Sequence, residues 1–101
     1  MIAQDTVWKV KGQGEPVLEV WEDFYGNLWF ITEKDIDNTP GLCYGFARLY
    51  SMPENAEWGS IYIPEIQEAV GKDMVWQVSK ENWGNINSYE KDLLVEVKEQ
   101  P

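Results

Sequence analysis

The chain has no histidine and a single cysteine among its 101 residues. Without an imidazole, Ser-His and Cys-His nucleophilic pairs, His-ligated zinc and the commonest general base near neutral pH are all excluded. Cys43 alone builds neither an intrachain disulfide nor a cage of several thiolates around a metal. It reads instead as a small apolar residue in a reducing compartment. Positive charge is also scarce. Eight Lys and Arg stand against eighteen Asp and Glu, for a formal charge of −10, so the chain gains nothing by counterion release on nucleic acid or by attraction to anionic lipid. No apolar run is long enough to cross a bilayer, and Met1 to Asp5 lacks the basic and apolar regions of an export signal. The expectation is a cytoplasmic protein whose partners are neither nucleic acid nor membrane.

What the chain does hold is aromatic surface. Six Trp, five Tyr and three Phe within 44% apolar residues give enough large side chains to fill one core, and a chain of this length has room for only one domain, spanning residues 1–101. Thr6 to Lys11 alternates as a short strand before Gly12-Gln13-Gly14-Glu15-Pro16 turns the chain. After it, Leu18, Val20, Glu22 and Phe24 share one face, while Val17, Glu19, Trp21 and Asp23 share the other. Tyr25-Gly26-Asn27 supplies turn residues tolerant of positive φ, and Leu28 to Thr32 resumes as the second arm of a hairpin.

Glu33 to Gly41 reads as a polar loop. Leu42 to Tyr50 sets a bulky face (Leu42, Tyr44, Phe46, Arg48, Tyr50) against a small one (Cys43, Gly45, Ala47, Leu49), which something must pack closely. Trp58 to Ile63 completes a second hairpin, and Pro64 to Val70 forms a two-turn helix with Ile66 and Val70 inward and Gly71 at its end. Met74 to Val78 adds a strand. In the tail, Tyr89, Leu93 and Val97 share a helical face behind an Asn87/Glu90 cap, while Leu93, Val95 and Val97 also alternate; the β-branched valines favour a strand. The expected fold is α+β, with a mostly antiparallel sheet of about five strands built from two hairpins and one or two short helices.

The middle of the chain resembles a plasmid- and phage-associated family of small domains of unknown function. The likeness lies in Trp29-Phe30-Ile31-Thr32-Glu33, Tyr44-Gly45-Phe46, the segment from Glu57 to Ile66, and Lys72-Asp73-Met74-Val75-Trp76. It covers about half of the chain, and Tyr44-Gly45-Phe46 departs from the family's Phe-Phe-Gly order. The resemblance implies an accessory product of a mobile element, and it brings no catalytic residue with it.

Acids are concentrated in one stretch. Residues 1–14, 15–57 and 58–101 carry net charges of +1, −7 and −4. Glu19, Glu22, Asp23, Glu33, Asp35 and Asp37 form one negative surface if the first hairpin and the loop after it fold together, and Trp21 and Trp29 on adjacent strands add an aromatic shelf. Most of the six Trp fill the core, and Trp21, between Glu19 and Asp23, is the ring expected at the surface. The candidate binding set is Glu19, Trp21, Glu22, Asp23, Trp29, Asp35 and Asp37. Asp35-Ile36-Asp37-Asn38 fails as a calcium loop, because Pro40 stands at its sixth position and Phe46 at its twelfth. No phosphate loop or nucleophile elbow occurs.

The reading is a non-enzymatic module without cofactor or metal, which binds another protein through that protein's basic surface. Two alternatives stand beside it: a nucleic-acid mimic that inhibits a DNA-binding or nuclease enzyme, and a carbohydrate or small-ligand module built on an exposed Trp. Oligomeric state is left open.

Overall fold

Alternating apolar residues need a sheet with both faces covered, and a computed structural model describing residues 6–10, 15–88 and 94–98 supplies one. Its strands are β1 (Thr6–Val10), β2 (Glu19–Asp23), β3 (Leu28–Glu33), β4 (Leu42–Arg48), β5 (Glu57–Tyr62), β6 (Val75–Val78) and β7 (Leu94–Lys98), and its α-helix is α1 (Ile63–Val70). The strands β5-β4-β3-β2-β6 form a five-stranded sheet, antiparallel at every pairing. The α+β class holds, but a single sheet does not. β1 pairs with β7 in a separate two-stranded ribbon, and the fifth strand of the main sheet is β6, which reaches the edge beside β2 after the chain has passed through α1. Alternation specifies which residues face inward; it does not name the strand across the ladder.

The tail is a strand over Leu94–Lys98, as its valines favour. Tyr89, Leu93 and the proposed Asn87/Glu90 cap fall on residues whose side chains lie outside those described, as do Lys11 and the turn at residues 12–14.

Parity also breaks at Val17. The Val17 N–H donates to Trp8 O and the Leu18 N–H to Ile31 O, each at 2.7 Å, so the backbone passes from the ribbon to the main sheet between these two residues. Val17 therefore packs with Val10 and Val20, on the opposite side from Trp21, and Leu18 is left exposed.

β3 lies at the centre, and both of its faces are buried. Leu28 and Phe30 join Val10, Val20, Trp83, Ile86 and Leu94 on the ribbon side. Trp29 and Ile31 join Cys43, Ile61, Ile63 and Val75 on the helix side. Fully burying a side chain such as Phe30 or Ile31 contributes about 1.5–3 kcal/mol, and Leu28, Phe30 and Ile31 are all fully buried. The small face of β4 lies where close packing was expected: Cys43 belongs to the helix-side cluster, against which Ala47 and, from α1, Ile66 and Val70 pack. Pro64 occupies the first turn of α1, and Gly71, at φ 106°, ends it.

Candidate functional site

Asp23 closes β2, and its carboxylate shapes the residues that follow. Its Oδ1 accepts the N–H groups of Tyr25 and Asn27, both at 2.9 Å, and its Oδ2 accepts Nδ2 of Asn27 at 2.8 Å. At 2% exposure, a carboxylate needs such donors to offset its lost hydration. The amide oriented in this way presents Oδ1 to the N–H of Tyr50, at 2.8 Å, in the connection between β4 and β5. Gly26 completes the lock. It holds φ 86° and lies under the Tyr50 ring, where a Cβ would stand 3.1 Å from Cδ1.

On this platform stand rings that the core does not use. Phe24, Tyr25 and Tyr50 are 68%, 62% and 66% exposed, and Leu49 and Met52 are exposed beside them. The Phe24 and Tyr25 rings meet edge to face with centroids 5.8 Å apart. Tyr25, Asn27, Tyr50 and Ser51 border a cleft of about 460 Å³. The arrangement offers apolar contact, ring stacking and hydroxyl or amide hydrogen bonds from side chains that lose little conformational entropy when they are held.

The seven residues of the expected binding set do not converge. Glu19 and Trp21 do meet: Trp21 Nε1 donates to Glu19 Oε1 at 3.0 Å, and Lys34 Nζ lies 2.6 Å from Glu19 Oε2. That ion pair holds the Lys34 ammonium above its ordinary pKa. Trp29 is the cross-strand partner of Trp21 and is buried, while Trp21, expected at the surface, is half-buried against the helix-side core because α1 covers that face. Glu22 points to the other face, beside Trp76. Asp23 is a buried turn organiser. Asp35 and Asp37 are exposed in the loop before β4, both at positive φ, with Asp35 Oδ1 accepting the Gly41 N–H at 3.0 Å.

No family model, curated protein or solved structure matches this chain. The functional reading therefore rests on surface chemistry. Among the described side chains the exposed cations are Lys34, Lys72 and Lys80, and Lys34 is tied to Glu19. Exposed carboxylates extend from Asp35 and Asp37 to Glu65 and Glu68 on α1, whose first residue donates its N–H to Gly41 O at 3.0 Å. Among the described residues no group of three or more Cys, Asp or Glu is placed to hold a metal. Burial raises the pKa of the Cys43 thiol, which keeps it protonated and unreactive at neutral pH.

Sequence reasoning read Tyr25-Gly26-Asn27 as a turn but kept Phe24 and Tyr50 in strands, which end instead at Asp23 and Arg48, and so missed the surface that the two connections make together. The available signal was composition: Phe24, Tyr25, Tyr50 and Met52 are large side chains in connections where small polar residues would suffice.

Proposed function

We propose that the chain is a non-enzymatic interaction module of the cytoplasm that binds a protein with a basic surface. The aromatic loop end is the contact and the surrounding carboxylates are the steering field. The observation that carries the reading is the set of three rings, each more than three-fifths exposed, on loops locked together through Asp23 and Asn27. Exposed tyrosines on a rigid base resemble the aromatic anchors that dominate binding energy at interfaces, and the surplus of negative charge accelerates encounter with a cationic partner. The likeness to a plasmid- and phage-associated family fits an accessory product that acts on another protein.

The test compares the wild-type chain with a Tyr25→Ala/Tyr50→Ala variant as bait in its native cell extract, at low and at high salt. A partner retained by the wild type and lost by the variant supports the reading, provided that both chains melt alike. Retention of the same partner by the variant overturns the loop end as the contact. Mimicry of nucleic acid is supported if capture depends on Asp35 and Asp37 and vanishes in high salt.

A further inference from the structure

The β6 edge carries a second concavity, on the sheet face opposite α1. Antiparallel register sets Trp76 beside Glu22 and Val78 beside Val20. The 3₁₀ segment Lys80–Ser88 rises next to them. It is anchored by Trp83 and Ile86 in the core and by a hydrogen bond from Trp83 Nε1 to Val78 O at 3.0 Å. Between strand and segment lies a cleft of about 420 Å³, walled by Glu22, Trp76, Gln77, Ser79, Asn82 and Asn85. Small-molecule sites span about 300–1,000 Å³, so one ring-sized ligand fits.

The walls select its chemistry. Trp76 offers an indole plane and is 41% exposed. Asn82 and Asn85 are carboxamides, which both donate and accept hydrogen bonds; Gln77, paired with Trp21, borders the cleft by its backbone, since its side chain leaves β6 on the α1 face. Asn82 is held in place, because its N–H donates to Ser79 O and its Nδ2 to Ser79 Oγ, both at 2.9 Å. An anion would face the Glu22 carboxylate, and the described walls hold no basic residue. A quaternary ammonium calls for a cage of several rings, and among the described residues the cleft has one. Val78 and Ile86 also line the cleft and offer apolar contact, but a wholly apolar ligand would strip water from the Asn82 and Asn85 amides without replacing its hydrogen bonds. A neutral ring bearing several hydroxyls meets every requirement: each hydroxyl both donates and accepts, and the C–H face of the ring lies flat on an indole.

We propose that this cleft binds a pyranose sugar, with Trp76 as the stacking platform and Asn82 as a hydrogen-bonding group to its hydroxyls. This activity is separate from the loop-end contact, and neither surface needs the other.

The test is a titration of the ¹⁵N-labelled full chain with glucose, galactose, N-acetylglucosamine and short β-linked oligomers of glucose and of N-acetylglucosamine. At least one of these sugars is expected to shift the Trp76 Nε1–H and the side-chain amide of Asn82 saturably, with a Kd of about 1 mM. Trp76→Thr keeps a β-branched residue in the edge strand and is expected to weaken binding about tenfold. Asn82→Ala, at an exposed position, is expected to weaken it severalfold with the backbone spectrum preserved. Tighter binding of an oligomer than of its monomer assigns a glycan chain as the ligand, and equal binding assigns a single sugar unit. The proposal is overturned if none of these sugars moves these resonances, or if Trp76→Thr binds as the wild type does.

Discussion

Gly45 and Gly59 face each other across the β4–β5 ladder, and replacing each with alanine is expected to move stability in opposite directions. At Gly45 the ladder between β3 and β4 shifts register between Ile31 and Glu33, bringing the β3 backbone close. A methyl group there would overlap the carbonyl oxygen of Phe30 and stand 3.1 Å from Ile31 Cα. Both neighbours are backbone in the central strand, so relief requires β3 and β4 to separate. Overpacking of this kind costs about 1–3 kcal/mol, and each strained ladder hydrogen bond adds about 1 kcal/mol. Alanine recovers about 0.5–1 kcal/mol by restricting the unfolded chain. The net expectation is a loss of about 2–3 kcal/mol, which at about 4–8 °C per kcal/mol lowers Tm by about 10–20 °C. At Gly59 a methyl group meets nothing within 4 Å, so only the gain remains, about 0.5–1 kcal/mol, or about 2–8 °C upward. Thermal melts and urea titrations, with an unchanged m-value, read both. The reasoning is refuted if Gly45→Ala lies within about 0.5 kcal/mol of the wild type, or if both variants shift the same way.

Other expectations follow from the same contacts. Asp23→Ala leaves the N–H groups of Tyr25 and Asn27 without their acceptor and is expected to cost about 2–4 kcal/mol in urea denaturation; a smaller loss than about 1 kcal/mol would mean that the loop lock does not hold. Phe30→Ala, in a fully buried central position, is expected to cost about 3–5 kcal/mol. Tyr25→Ala and Tyr50→Ala remove mostly exposed rings, so each should stay within about 0.5 kcal/mol of the wild type while capture of the partner is lost. Cys43 is expected to resist thiol reagents until the chain unfolds. Its pKa in the fold is raised above the ordinary 9.0, so the unfolded chain releases the proton first. Stability is therefore undiminished below about pH 9 and falls as pH rises through the interval up to the folded value; alkaline denaturation of Cys43→Ala should lack this component.

Local chemistry determined much of this protein. Period-two runs placed β2, β3 and β4, the Pro64 and Gly71 signals bounded α1, and the small face of β4 announced a closely packed cover, because side-chain direction and backbone permissiveness are properties of a few neighbouring residues. The acidic surplus followed from counting alone. Tertiary structure decided the rest. It paired β1 with β7 and turned Val17 away from Trp21 by passing the backbone between sheets. It buried Asp23 as the organiser of a turn, and it left Trp76 open on an edge strand while α1 covered Trp21. It also brought Tyr25 and Tyr50 to one cleft, although 24 positions separate them in the chain. Strand partners, coverage of a face and the meeting of distant loops depend on where the whole chain buries its apolar surface, and no window of neighbouring residues carries that information.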